Sequence, residues 1–249
     1  MISKNQIKLI RSLELKKNRK REGLFVAEGP KVVGDLLQAG YQPRMLFSTT
    51  ATERPDAERI TEEELRKISF LQHPQEVLAV FEMPTPPLST LNSKLSTLNS
   101  QLSLALDGVQ DPGNLGTIIR IADWFGISTI YCSMDTVDVY NPKVVQATMG
   151  SLAHVLVSYV DLPTLFNSMP SSLPIYGTLL DGKNIYEQEL TQQGIIVMGN
   201  EGNGISPEVR KHITKRLLIP DFHSDGLRAE SLNVAIATAI TCSEFRRRQ

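Results

Sequence analysis

Long apolar runs are missing from this 249-residue chain: no stretch approaches the ~20 residues that cross a bilayer. The N-terminus is charged almost from the start, so no secretory signal peptide is expected. Cysteine is scarce. Cys132 and Cys242 sit in apolar segments without CxxC spacing, which points away from a disulfide scaffold and toward structural thiols in a reducing cytoplasm. His73, His154, His212 and His223 are scattered without metal-ligand spacing, and no metal site is expected. Neither common phosphate-binding glycine pattern is spelled at the strand-to-helix junction of residues 104–127. An excess of one charge is lacking too, with 26 Lys and Arg against 27 Asp and Glu. What remains is ordinary for a globular protein, 41% hydrophobic and 21% charged, and long enough for one large domain or two smaller ones.

That neutrality hides an asymmetry. Residues 1–21 hold Lys4, Lys8, Arg11, Lys16, Lys17, Arg19, Lys20 and Arg21, opposed by Glu14 alone. Ser3 and Gln6 have capping-box spacing, so a helix is expected to begin there. Lys4, Lys8 and Arg11 then fall on one side, with Leu9, Ile10 and Leu13 on another. A basic stripe opposite an anchoring stripe suits contact with nucleic-acid phosphates; a merely solvated helix face is the competing reading. Lys4, Lys8, Arg11 and Arg21 are the candidate RNA contacts. Arg246, Arg247 and Arg248 add a second basic cluster.

Residues 1–85 read as a small α/β unit. Strand candidates lie at 24–29, 45–49 and 76–83; Pro30 opens a helix that Gly40 closes, and Thr61 with Glu64 forms a second capping box. Residues 86–101 read as a linker, where LSTLNSK is followed by LSTLNSQ. Its leucine spacing leaves a short amphipathic helix open. From 102 to 249 strands and helices alternate, the latter expected at 114–125, 142–149, 161–168, 206–215 and 231–246. Such alternation predicts an α/β domain with a mostly parallel sheet, helices on both faces, and a ligand site at the carboxyl ends of the strands.

Three turns after strands could converge there. In LALDGVQDPGNLGTIIRIADWFGI (104–127) Asn114 is expected to cap a helix whose Leu115, Ile118, Ile119 and Ala122 face the core. Arg120 lies about 140° around the helix from Leu115, with Gly116 one turn earlier offering clearance for a ligand; a surface pairing with Asp123 is the alternative. In IIVMGNEGNGISPEV (195–209) three glycines permit close backbone approach, while Glu201 would repel a phosphate. In RAESLNVAIATAI (228–240) Ser231 is expected to cap an apolar helix, buried nearly all round by the core or a partner subunit. Asn233 sits at its mouth, either as a second cap or as a site group.

Together NLGTIIR (114–120), MGNEGNGIS (198–206) and SLNVAIATAI (231–240), with NPKVVQATMGS (141–151) between them, resemble the SpoU (TrmH-type) branch of the SPOUT RNA methyltransferases. REGLFVAEGPKVVGDLL (21–37) looks like the RNA substrate-binding domain often fused ahead of such enzymes. The resemblance implies a deep trefoil knot, a homodimer, and S-adenosylmethionine as methyl donor. By similarity Thr178, Leu179, Gly199, Asn200, Glu201, Gly202, Ile219 and Leu232 would hold that cofactor. The implied reaction is methylation of a ribose 2′-hydroxyl in structured RNA, ribosomal rather than transfer RNA by preference. Arg120, Asn114, Glu201, Ser231 and Asn233 are the implied catalytic set. The family's proposal of the arginine as general base conflicts with arginine's persistent protonation, so orienting the ribose and stabilising negative charge is the role expected of Arg120. The chain departs from the pattern at Ala235, where serine is frequent, and at Gln146, where arginine is frequent.

Two other classes compete. A nicotinamide-dependent oxidoreductase would use the glycine turn with Asp135, nineteen residues after Gly116, yet G-x-G-x-x-G is absent. A catalytically silent RNA-binding protein would keep the fold and lose the chemistry.

Overall fold

The computed structural model describes residues 1–51, 54–84, 101–222 and 231–247, so all but the last residue of the expected linker lies outside the described residues. In chain order the elements are α1 (Lys4–Ser12), α2 (Lys16–Glu22), β1 (Leu24–Glu28), α3 (Pro30–Gln38), β2 (Pro43–Ser48), β3 (Glu58–Arg59), α4 (Glu62–Ile68) and β4 (Val77–Glu82). There follow β5 (Leu102–Leu106), α5 (Pro112–Trp124), β6 (Thr129–Cys132), α6 (Pro142–Ala147), β7 (Leu156–Tyr159) and α7 (Leu162–Asn167). The chain then forms β8 (Ile175–Asn184), β9 (Gly194–Met198), α8 (Pro207–Arg210), β10 (Lys215–Leu218) and α9 (Val234–Arg247). They divide into two compact units, residues 1–85 with 138–154, and residues 86–137 with 155–249. Residues 138–154 thus cluster outside the domain in which their sequence position puts them.

In the first unit a four-stranded sheet runs in the order β1-β4-β2-β3, antiparallel except for the β2–β3 pair. Alternation along β1 splits its burial between two faces. Leu24 and Val26 join Ile10, Leu13, Phe47, Leu78 and Val80 in one core. Phe25 faces the other way, stacking on Phe81 with centroids 5.7 Å apart and meeting Tyr140 at 4.7 Å. The capping boxes form as their spacing predicts, Ser3 with Gln6 and Thr61 with Glu64. β3 has two residues, too few for a periodic signal.

In the second unit all six strands are parallel, in the order β10-β8-β9-β5-β6-β7. β5 and β9 lie side by side in its middle, every residue buried, which is why β9 reads as an apolar run and β5 as one broken only by Ser103. Three expected helices change. α5 starts at Pro112 because Asp111, not Asn114, is the N-cap: its Oδ1 accepts from Asn114 N at 2.8 Å. The helix expected over 206–215 is only Pro207–Arg210, since the chain then tightens through Ile213 N to Arg210 O and enters β10. α9 starts at Val234, and Asn233 rather than Ser231 caps it, its Oδ1 accepting from Ala235 N at 2.9 Å and Ile236 N at 3.2 Å. Within one chain that helix is not buried all round, for Ile236 is 53% exposed. The expected knot turns on the path between Phe222 and Ser231, which lies outside the described residues.

Candidate active site

The turns after β5 and β9 emerge side by side because those strands are neighbours. Asp107, at the end of β5, accepts from Ser206 N at 2.7 Å and so pulls in the far end of the glycine turn. Asn200 organises the near end. Its Nδ2 donates to Gly108 O at 2.7 Å, and its Oδ1 accepts from Gly202 N at 2.9 Å and Asn203 N at 3.0 Å. The turn closes so tightly that a Cβ on Gly199 would lie 2.3 Å from the carbonyl carbon of Gly204, which leaves only glycine at that place.

The third turn reaches the other two through amides. Asn233 Nδ2 donates to Asn114 Oδ1 at 2.9 Å, and Asn114 Nδ2 donates to Glu201 Oε1 at 2.9 Å. The orientation of the chain of bonds follows from its anchor. Asn233 Oδ1 faces two helix N–H groups, so its NH2 must face Asn114; Asn114 then presents its own NH2 to Glu201, which must accept. A carboxylate, two amides and a helix N-terminus are thereby locked into one rigid junction. Arg120 is exposed on α5 and makes no hydrogen bond or ion pair with another described residue.

Beside this junction the ladder between β8 and β10 breaks. Arg216 pairs with Gly177 and the next residue, Leu217, pairs with Lys183, so residues 178–182 bulge out of the sheet. Thr178 Oγ1 approaches Val197 O at 3.4 Å, holding the start of the bulge against β9. Leu179 is half-buried and Leu180 is 79% exposed. Ile219 follows β10 directly, and half-exposed Leu232 precedes Asn233.

The family model described as SpoU rRNA methylase matches residues 101–243. The chain belongs to the SpoU rRNA methylase family. A second model, an MRM3-like substrate-binding domain, matches residues 4–79. The chain is 31% identical over 255 residues to the 23S rRNA (guanosine(2553)-2′-O)-methyltransferase RlmP of Bacillus subtilis, covering 98% of this chain and 97% of that one. Among solved structures, a TrmH-family protein from Porphyromonas gingivalis is 45% identical with a TM-score of 0.86, covering 100% of both chains. An AdoMet-bound rRNA methyltransferase from Sinorhizobium meliloti is 30% identical with a TM-score of 0.85, covering 100% of this chain and 97% of that one.

As a SpoU-family chain it has most of its sequence-derived site residues around one end of the sheet. Asn114, Glu201 and Asn233 are joined directly. Gly199, Gly202 and Asn200 form the turn, with Asn200 spending its side chain on the turn itself rather than on a ligand. Ser231 is exposed and makes no hydrogen bond with a described residue. Gly116 is buried on α5, one turn before exposed Arg120. The donor set fits S-adenosylmethionine, which carries adenosine and a sulfonium and no phosphate: a carboxylate, backbone polar groups freed by the bulge, and the apolar Leu179, Ile219 and Leu232. Asp135, on which the oxidoreductase reading leaned, accepts from Ser133 Oγ at 2.6 Å. Among the described residues no His, Cys, Asp and Glu group could hold a metal ion. Asp107 and Asp111 escaped the sequence reading; Asp111 had a signal, an N-cap residue directly before proline.

The basic residues of the first unit differ in their freedom. Lys4 and Lys8 are exposed. Arg11 Nη1 donates to Ser69 O at 2.6 Å while its guanidinium lies 4.9 Å from the Phe70 ring centroid. Beneath it buried Glu28 accepts from Phe70 N at 2.8 Å and from the Ser69 hydroxyl. Burial pushes the Glu28 carboxyl up, against the opposing pull of those hydrogen bonds and of Arg11. Arg21 pairs with Glu22 at 2.8 Å on the surface. In the C-terminal cluster Arg246 Nε donates to Phe125 O at 2.8 Å and Arg247 pairs with Glu244, while Arg248 lies outside the described residues.

Proposed function

We propose that this protein transfers the methyl group of S-adenosylmethionine to a ribose 2′-hydroxyl of ribosomal RNA, as a homodimer. The observation that carries the reading is the Glu201–Asn114–Asn233 junction, which ties three turns of the second unit into one polar site beside the 178–182 bulge. Its substrate class comes from the likeness to RlmP and to the Sinorhizobium enzyme. When bound, the donor supplies an electrophilic methyl carbon for in-line displacement.

The chain's own residues bind and orient. Gly199 to Gly202, Thr178, Leu179, Ile219 and Leu232 hold the donor, through backbone groups and an apolar sandwich. Glu201 and Asn114 set the polar wall against which the ribose approaches, so that much of the rate comes from positioning. Arg120, which makes no hydrogen bond or ion pair among the described residues, orients the ribose with an adjacent phosphate and stabilises the negative charge that grows on the attacking oxygen. Lys4 and Lys8 supply phosphate contacts from the first unit. Ile236, half-exposed on α9, and Trp124, 86% exposed at the end of α5, are apolar surface suited to the second copy. Buried, unpaired Cys132 and Cys242 fit a reducing cytoplasm.

The test is transfer of labelled methyl from S-adenosylmethionine to purified ribosomal and transfer RNA, with the product nucleoside identified. Label in ribosomal ribose, reduced at least about 100-fold by Arg120→Ala, supports the reading. Label only in transfer RNA moves the substrate. No label in either, with RNA still bound, leaves a silent RNA-binding protein.

A further inference from the structure

We infer that Asp181 is a positioning residue for the methyl donor: clamped between Arg210 and Arg216, it fixes the bulge that carries Thr178 and Leu179. The inference rests on the proposed function, because it takes that bulge to be part of the donor site. Five residues leave the β8 ladder between consecutive residues of β10, so residues 178–182 give up the pairing that holds the rest of the strand. A segment released in this way has no reason to keep one shape unless something else holds it.

Three contacts do. At its start the Thr178 hydroxyl lies against the end of β9. At its finish Gly182 is pressed onto β10, where a Cβ would meet the Leu217 carbonyl carbon at 2.4 Å, so the chain passes there without a side chain. Between them Asp181 Oδ2 accepts from Arg210 Nη2 at 2.5 Å and from Arg216 Nη1 at 2.9 Å. Those partners lie on different elements. Arg216 is in β10, and Arg210 closes α8, the helix that follows the glycine turn and is itself tied to Asp107 through Ser206. One carboxylate therefore joins the bulge to the helix carrying the other donor loop. Leu180, next to Asp181 and 79% exposed, is left outside the clamp.

Charge-assisted bonds from two cations to a single oxygen are short and directional, and their benefit for a ligand is preorganisation: the bulge need not be ordered when the donor arrives. The clamp is half-exposed, so water and salt weaken it.

Calorimetric titration of S-adenosylmethionine into the full chain is the test, with amide hydrogen exchange of the ligand-free protein alongside. Asp181→Asn is expected to weaken binding about 3- to 10-fold, and Arg216→Gln, which leaves one partner, by less. Exchange across 178–182 should quicken in both variants, KM for the donor should rise, and kcat should hold. Glu189→Gln, a surface carboxylate elsewhere in the unit, should bind like wild type. Unchanged affinity and exchange in Asp181→Asn would overturn the clamp while leaving the function standing. A wild-type chain that binds no S-adenosylmethionine would overturn the proposed function itself.

Discussion

The Arg19 guanidinium, 1% exposed, has left water and must find an acceptor for each N–H it took with it. It donates to Asp138 Oδ2 from Nε at 3.0 Å and Nη2 at 2.6 Å, and from Nη1 to the carbonyls of Leu13 and Glu14 at 2.8 and 2.7 Å. This arginine is an internal fastener of the first unit, not part of a nucleic-acid face. Removing one partner of a buried pair leaves the other charge uncompensated, so Arg19→Met should cost about 3–5 kcal/mol in urea unfolding. Arg19→Lys should recover little, because an ammonium cannot span the carboxylate and two carbonyls at once. A loss under about 1 kcal/mol would show that water replaces those contacts cheaply.

At the scale of elements, α1 presents two free lysines and one engaged arginine. Ile10 and Leu13 fix its buried side, which turns Lys4 and Lys8 to solvent, while Arg11 is drawn down to Ser69 and Phe70. Each lysine that stops neutralising a phosphate should reduce the slope of log affinity against log salt by about 1. Lys4→Gln with Lys8→Gln should therefore flatten that slope by up to about 2 in filter binding to ribosomal RNA. Arg11→Gln should chiefly disturb the turn at Ser69. An unaltered slope in the double variant would return α1 to an ordinary solvated face.

For the whole molecule, the exposed side of α9 calls for a cover. A helix with Val234, Ala235, Thr238 and Cys242 buried still leaves Ile236 half in water, four residues before half-buried Ile240 on the same stripe. A homodimer would cover it. Ile236→Glu should convert a dimer to a monomer in light scattering, because an unpaired carboxylate in an apolar interface is costly, and methyl transfer should fall with it. A variant that stays dimeric and active would place the interface elsewhere.

Much of the second unit was legible in the linear sequence, because its signals are local. An apolar run marks a strand covered on both faces, Ser206 before Pro207 marks a helix start, and glycine marks a turn that no Cβ can enter. The residues of the polar junction were legible as well, through the resemblance of three short motifs. Distance along the chain hid the rest. Arg19 and Asp138 meet across 119 residues, so charge counting could not tell a fastener from a free cation. Asn233 and Asn114 are equally far apart, so helix caps and site groups could not be told apart until the turns met. The sequence by itself determined which segments become strands and helices and which side chains are available for chemistry, since both follow from short-range sterics and side-chain type. Only the tertiary structure decided which of those side chains are already spent on one another, because that depends on contacts made after the chain has folded back on itself.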